Sequence, residues 1–142
     1  MLLTIPPLLG PDLLWTLAAM GHGDEIVIAD ANFPGESMGR RCHRLDGASA
    51  TETLEAVLRL LPLDSFVEEP ATVMQVVGDP DAVPPAVAEF QTVLDAAGGV
   101  PVGMARIERF AFYDRARAAF AVILTGETRL YGNVILTKGV VT

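Results

Sequence analysis

Short apolar runs that alternate with helical patterns constrain the fold of this 142-residue chain more than any other feature. The clearest run, EIVIAD at residues 25–30, has no polar alternation and predicts a strand buried on both faces. Ser49 and Glu52 have capping-box spacing ahead of apolar residues at helical period, which predicts a helix that ends before Pro62. The alternation predicts one α/β domain over residues 1–142, with three α/β/α layers around a mixed sheet.

The other predicted elements rest on proline or polar starts, apolar periodicity and glycine stops. The predicted helices lie at residues 11–20, 84–97 and 111–119, and a loop is predicted at 31–40. The further predicted strands lie at 42–45, 72–77, 102–107, 120–124 and 134–137. No internal repeat or low-complexity tract interrupts this order, which agrees with a single domain.

The composition limits the classes of partner. A hydrophobic share of 51% with 20% charged residues excludes a disordered chain, and the surplus of apolar surface indicates contacts between subunits. A net charge of -8 argues against binding to nucleic acid or to an anionic membrane, since both attract clustered Lys and Arg. We therefore expect a homo-oligomer that binds neither nucleic acid nor membranes.

The sequence also predicts a cytoplasmic protein. Cys42 is the only cysteine, so no internal disulfide can form. The apolar N-terminus lacks a basic region and is interrupted by Pro6, Pro7 and Pro11, which is not typical of a signal peptide. No apolar run reaches the roughly 18 residues that a membrane span needs.

His22 is the first candidate for chemistry. It stands between Gly21 and Gly23, after a predicted helix and just before a strand. An imidazole titrates near neutral pH and the small neighbours leave room for a ligand, so His22 is a candidate general acid/base. A histidine that only caps the helix is the alternative. His43 is interpreted as a partly exposed residue of a strand.

Three further segments carry polar groups suited to a small hydroxylated ligand. Asp30 ends a buried strand, where ligands of open α/β sheets collect, but an Asx turn is an equal interpretation. Arg109 offers guanidinium donors to vicinal hydroxyls, or forms a surface ion pair. Tyr131 and Asn133 flank a glycine that lets a ligand approach the backbone, or form a turn before the last strand.

Several kinds of site have no signature in the sequence. No H-x-x-x-H or C-x-x-C spacing indicates a metal site. Glycine-rich nucleotide motifs and the G-x-S-x-G motif of serine hydrolases are also missing. The residues alone therefore indicate a small α/β protein that binds a neutral polar ligand, with no metal.

Three strings, taken together, resemble the L-fucose mutarotase and ribose pyranase family. They are GHGDEIVIADANFP at residues 21–34, ERFAFYDRARAAFAVILTGE at 108–127 and YGNVILTKGV at 131–140. The opening LLTIPPLLGPDLLWTLAAMGHGD is similar too, so the resemblance covers nearly the whole chain, with a less distinctive middle at 48–103.

The resemblance implies a mutarotase that interconverts the α and β anomers of a free monosaccharide and needs no cofactor. It implies His22 as the catalytic acid/base and Asp30 at the sugar site, as an orienting group for the imidazole or a hydroxyl contact. It implies Tyr131 as a proton relay or binding group and Asn133 as a substrate contact. Arg109, where ribose pyranases tend to carry histidine, favours L-fucose as the sugar.

The resemblance also implies ring-like assemblies, commonly decamers, with the site close to a subunit boundary. Two alternative functions stay open at this point. One is a D-ribose pyranase that interconverts pyranose and furanose rings, and the other is a noncatalytic sugar-binding oligomer. Asn32 and Thr137 differ from the residues common in bacterial fucose mutarotases, which bears on the sugar more than on the reaction.

Overall fold

A computed structural model describes residues 1–142 as five helices and six strands. The helices are α1 (Pro11–Ala19), α2 (Gly35–Met38), α3 (Ala50–Leu58), α4 (Pro85–Gly98) and α5 (Arg109–Ala118). The strands are β1 (Glu25–Ala29), β2 (Cys42–Leu45), β3 (Ala71–Met74), β4 (Met104–Ile107), β5 (Ala121–Thr125) and β6 (Val134–Thr137). The longest helix has 14 residues, and none combines the length and apolarity needed to cross a membrane.

The six strands form one sheet in the order β2-β5-β1-β6-β3-β4. β6 runs antiparallel to its neighbours β1 and β3, whereas the other three pairs are parallel. The remaining five strands therefore all point the same way, and the predicted mixed sheet is confirmed.

Helices cover both faces of the sheet because β1 is apolar on both sides. Ile26 and Ile28 pack with residues of α1, α3 and α4 in a cluster of 21 buried residues. Val27 faces the other way, into a cluster of 10 buried residues that includes Phe112 and Ala116 of α5. The predicted three-layer α/β/α architecture is confirmed.

Local features fix the start of α3 and the end of α4 at or within one residue of the predicted places. The N–H of Glu52 donates to Ser49 Oγ at 3.1 Å, and the N–H of Ser49 donates to Glu52 Oε2 at 2.8 Å. This reciprocal pair is the predicted capping box of α3. α4 ends where Gly99 takes a left-handed φ of 69°, which glycine adopts without steric cost.

Two helices differ from the sequence prediction. The predicted loop at 31–40 contains α2, a single turn in which the N–H of Gly39 donates to the Gly35 carbonyl at 2.8 Å. α5 begins two residues earlier than predicted because the carboxylate of Glu108 accepts the backbone N–H groups of Phe110 and Ala111.

β3 is shorter than predicted and ends at Met74 rather than at residue 77. The chain turns immediately beyond it, with Val76 pairing to Asp79 as an isolated bridge. The N–H of Val77 donates to the phenol oxygen of Tyr131 and makes no ladder bond. A hydrogen bond to the Tyr131 side chain thus satisfies the Val77 N–H in place of a bond to a neighbouring strand.

The two ends of the sheet carry different polar groups. At the carboxyl end of the sheet, Asp30 follows β1 and Asn133 precedes β6. At the amino end of the sheet, His22 precedes β1 and Lys138 follows β6. β1 and β6 are antiparallel neighbours. Asp30 and Asn133 therefore lie side by side at one end of the β1–β6 pair, and His22 and Lys138 lie at the other end.

Candidate active site

His22 lies at the amino end of the sheet with 46% of its side chain exposed. Its Nε2 is 3.2 Å from Oδ1 of Asp64, and its ring lies 5.5 Å from the ring of Phe66. The second ring nitrogen, Nδ1, makes no hydrogen bond within the chain. A carboxylate and a phenyl ring therefore orient the imidazole, and one nitrogen stays free for a proton.

The backbone around Asp64 explains why this carboxylate is available as an acceptor. The Asp64 side chain is 5% exposed, and its N–H donates to the Thr137 carbonyl at 3.0 Å. Oδ1 accepts the N–H of Phe66 at 3.0 Å, which lowers the pKa of Asp64, and the bond to His22 lowers it further. Asp64 is therefore ionised at neutral pH and favours an N–H on the facing imidazole nitrogen.

Sequence analysis missed Asp64. It lies 42 residues from His22, in the less distinctive middle of the chain, and no motif spacing marks it. Within one chain the imidazole contacts Asp64 and not Asp30, so the other predicted role of Asp30, a contact with a sugar hydroxyl, stays a prediction. The end of the predicted helix near Pro62 was the only local sign of a turn close to this residue.

Asp30 and Asn133 form a buried pair at the carboxyl end of the sheet, with exposures of 7% and 3%. The N–H of Asp30 donates to Asn133 Oδ1 at 2.8 Å, and Asn133 Nδ2 donates to Asp30 Oδ2 at 3.0 Å. The N–H of Asn32 donates to Asp30 Oδ1 at 3.0 Å, so the Asx turn of the alternative interpretation is present. The side chain of Asn133 is used mainly to fix Asp30.

Burial raises the pKa of Asp30 above its ordinary value of 3.8. The N–H of Asn32 and the amide of Asn133 act against this rise, and the nearby carboxylate of Glu127 adds to it. A buried carboxylate whose free lone pairs are desolvated is a strong acceptor for ligand hydroxyls.

Tyr131 lies in the loop between β5 and β6 with a left-handed φ of 60°, which is unusual for a residue with a large side chain. Its hydroxyl oxygen accepts the N–H of Val77 at 3.1 Å. The hydroxyl hydrogen is therefore free to be donated to a ligand.

Arg109 is the first residue of α5 and is exposed. Its guanidinium carbon lies 4.7 Å from the ring centre of Phe110 and 6.0 Å from that of Tyr113. It makes no ion pair with a carboxylate of the chain, so the surface ion pair of the alternative interpretation is not formed. Stacking on aromatic rings leaves its N–H donors available to a ligand.

His22 and Asp64 at the amino end of the sheet do not meet the polar residues at the carboxyl end within one chain. β1 separates His22 from Asp30 and spans about 13 Å between its terminal Cα atoms, at about 3.3 Å per residue. Arg109, Tyr131 and Asn133 lie with Asp30 at the carboxyl end of the sheet. A cavity of about 500 Å³ between the ends of α3 and α4 is lined by neither His22 nor Asp30. No cluster of His, Cys, Asp and Glu side chains is arranged to hold a metal ion.

Comparisons with known proteins identify the relatives of this fold. Residues 3–141 match the RbsD / FucU transport protein family. The chain is 53% identical to the fucose mutarotase of Homo sapiens over 142 residues, covering 96% of this chain and 92% of that protein. The chain belongs to the RbsD/FucU family. It is also 46% identical to the L-fucose mutarotase of Histophilus somni, covering 99% of this chain and 97% of that protein.

A solved fucose mutarotase structure has the same fold. The fucose mutarotase of Streptococcus pneumoniae, in complex with L-fucose, superposes with a TM-score of 0.92 at 42% identity. The superposition covers 99% of this chain and all of that one. Membership of the RbsD/FucU family confirms the resemblance that the three sequence strings indicated.

Proposed function

We propose that this protein is a cytoplasmic mutarotase that interconverts the α and β anomers of L-fucose by acid/base ring opening and reclosure, without a cofactor. The observation that carries the proposal is the likeness to fucose mutarotases along nearly the whole chain. The polar groups at both ends of the sheet support it, because they supply the proton transfer and the hydroxyl contacts that this reaction needs.

Mutarotation is a matter of moving protons. The anomeric hydroxyl loses its proton as the C1–O double bond forms, the bond from C1 to the ring oxygen breaks, and the ring oxygen gains a proton. The open aldehyde rotates and the ring closes on either face. A positioned acid/base typically accelerates such a step by about 10²- to 10⁴-fold.

His22 is assigned the proton transfer. With the Nε2 proton donated to Asp64, the Nδ1 lone pair is the base, and after protonation the same nitrogen is the acid. Asp64 stabilises the imidazolium that forms in between, because its carboxylate is ionised and buried. The assignment requires Nδ1 to face the sugar.

Asp30, Tyr131, Asn133 and Arg109 are assigned the recognition of the sugar. Asp30 accepts hydroxyl hydrogens, whereas Tyr131 donates its own and serves as a second proton relay. Asn133 fixes Asp30 and retains one amide hydrogen for the sugar. Arg109 spreads several donors over vicinal hydroxyls while it stacks on Phe110.

A ring-like oligomer, expected to be a decamer, brings the two ends together at each subunit boundary. Both ends of the sheet expose apolar side chains that a contact between copies would cover. Phe66, Val67 and Val140 are exposed near His22, and Val77, Phe110 and Leu130 are exposed near Tyr131 and Arg109. Two different surfaces that meet head to tail generate a closed ring when the rotation closes.

The experiment is anomer exchange measured by saturation-transfer NMR on L-fucose and D-ribose, with the subunit number from sedimentation. The proposal predicts faster exchange between the fucose anomers than in buffer alone, by an oligomer. Acceleration of ribose pyranose–furanose exchange alone would indicate a ribose pyranase. Binding of fucose with exchange at the spontaneous rate would indicate a noncatalytic sugar-binding protein.

A further inference from the structure

The loop between β5 and β6, residues 126–133, carries two of the proposed sugar-binding residues. It is anchored at its start, where Thr125 Oγ1 donates to the Ala29 carbonyl at 2.7 Å. The N–H of Ala31 donates to the Glu127 carbonyl at 2.8 Å, which joins the loop to the segment after β1. In its middle the loop is held by the bond from the Val77 N–H to the Tyr131 hydroxyl and by the side chain of Arg129.

Arg129 joins two carboxylates from separate parts of the fold. Its Nε and Nη2 donate to Glu127 at 2.9 and 3.0 Å, and its Nη1 and Nη2 donate to Glu89 of α4, both at 2.9 Å. These bonds lower the pKa of Glu89 to about 2 and are the main cause that lowers the pKa of Glu127. Thr51 of α3 also donates to Glu89 at 2.8 Å. The loop is thereby attached to both helices.

Glu127 packs against Gly132, which stands between Tyr131 and Asn133. Its side chain is only 4% exposed. A Cβ added to Gly132 would lie 2.7 Å from Glu127 Cγ and 3.5 Å from Asp30 Cβ. Glu127 is also the one charged side chain among the groups that shift the pKa of Asp30. Arg129 is therefore the cation that balances a buried anion next to Asp30.

We propose that Arg129 is a positioning residue for the sugar site. By bridging Glu127 to Glu89 it holds Tyr131 and Asn133 in place and compensates the charge that Glu127 presents to Asp30. The inference rests on the proposed role of Asp30 in binding the sugar. It adds a residue that lies outside the sugar contacts and acts through Glu127.

Removal of Arg129 leaves the carboxylates of Glu127 and Glu89 without their shared cation, and Glu127 then presents an uncompensated negative charge to Asp30. Like charges disfavour the ionised forms, so the pKa of both Glu127 and Asp30 rises. Because Asp30 accepts sugar hydroxyls as a carboxylate, binding then weakens first on the acid side of the pH profile. A purely structural role would lower activity by the same factor at every pH.

The test compares kcat/KM for fucose anomer exchange across pH in wild type and Arg129→Ala. We expect Arg129→Ala to lower kcat/KM by about 10-fold at pH 6 and by less than about 3-fold at pH 8, mainly through KM. Arg129→Ala/Glu127→Gln, which removes the anion as well, is expected to restore the shape of the wild-type profile.

Three further variants separate charge from anchoring. Glu89→Gln removes the ion pair between Arg129 and α4 but leaves the charge of Glu127 compensated by Arg129. It should therefore lower thermal stability and leave the pH profile of kcat/KM unchanged. Arg129→Lys keeps the charge but not the bidentate fork, and a smaller acid-side loss is expected, which keeps the test usable if Arg129→Ala does not fold. Arg117→Ala breaks an exposed pair with Asp114 on α5 and should change neither property.

NMR titration of the Asp30 carboxyl in the same variants tests the charge effect without any activity. A pKa of Asp30 that is higher in Arg129→Ala than in wild type supports the inference. An unchanged titration of Asp30, or a loss of kcat/KM in Arg129→Ala by the same factor at every pH, overturns it. If wild type does not accelerate exchange, the proposed function fails, and the Asp30 titration still decides whether Arg129 balances Glu127.

Discussion

The amino and carboxyl ends of the sheet are built in opposite ways. At the amino end, His22 is 46% exposed and is held by one carboxylate and one aromatic ring. At the carboxyl end, Asp30 and Asn133 are almost fully buried, and no buried side-chain nitrogen or oxygen of the chain lacks a hydrogen-bond partner. The group suited to proton transfer is open, whereas the groups suited to recognition are fixed in advance.

This difference gives each of the two proposed tasks, proton transfer and sugar recognition, its own kind of surroundings. A buried polar network is rigid and specific, because each unpaired group inside it would cost free energy. An imidazole that exchanges protons needs access to its substrate, and one chain alone leaves it in solvent. The contrast predicts that the amino end gains its enclosure from a neighbouring copy and that substitutions at the two ends affect different properties.

The largest effect is expected for His22→Ala at the amino end. The change removes the proposed acid/base, and fucose anomer exchange should fall by about 10²- to 10⁴-fold, close to the spontaneous rate. His43→Ala is the matched control, since His43 lies on the edge strand β2 and its ring bonds Thr16. Saturation-transfer NMR measures both variants. Equal losses of exchange rate in the two variants, or full activity in His22→Ala, would contradict the assignment of the proton transfer to His22.

A smaller effect is expected on stability, where glycine-to-alanine changes should compare the packing at the two ends of the sheet. Gly132→Ala places a methyl group 2.7 Å from Glu127 Cγ at a buried position of the loop, and such overpacking typically costs about 1–3 kcal/mol. Gly21→Ala, next to His22, meets its nearest atom at 3.6 Å and should change the free energy of unfolding little. Urea unfolding measures both. A Gly132→Ala variant as stable as Gly21→Ala would show that the carboxyl end is not rigid.

The smallest effect distinguishes Asp30 at the carboxyl end from Asp64 at the amino end by the pH dependence of stability. The pKa of Asp30 is raised in the fold, so its contribution is present below the ordinary value of 3.8 and is lost as pH rises through the folded pKa. The pKa of Asp64 is lowered, so its contribution is present above 3.8 and is lost as pH falls through the folded pKa.

Melting temperatures of Asp30→Asn and Asp64→Asn relative to wild type check these signs. As pH rises from 3 to 7, the difference for Asp30→Asn should become more positive and that for Asp64→Asn more negative. Parallel trends in the two variants would contradict the contrast between the ends.

Local features of the fold could be predicted from the sequence. The capping box of α3 and the end of α4 at Gly99 depend on neighbouring residues alone, and both are confirmed. β6 has the predicted bounds because its apolar run is flanked on each side by a polar residue and a glycine, Asn133 and Gly132 before it and Lys138 and Gly139 after it. α2 was missed, since Pro34 and the glycines around this four-residue turn are equally typical of a loop.

Contacts between distant residues could not be predicted in this way. Asp64 meets His22 across 42 residues, and Asn133 meets Asp30 across 103, because the strand order brings them together. The sequence shows which residues flank β1 but not which partners the neighbouring elements supply. The division of the site between two ends therefore became visible only with the sheet.

Mixing two inactive variants tests most directly whether neighbouring copies complete the site. His22→Ala disables only the amino end and Asp30→Ala only the carboxyl end, so each pure oligomer should leave fucose exchange at the spontaneous rate. After co-assembly in equal amounts, random assortment leaves roughly a quarter of the subunit boundaries with both ends intact, and activity should recover to about that fraction. Mixed oligomers that form and remain inactive would contradict a site shared between copies.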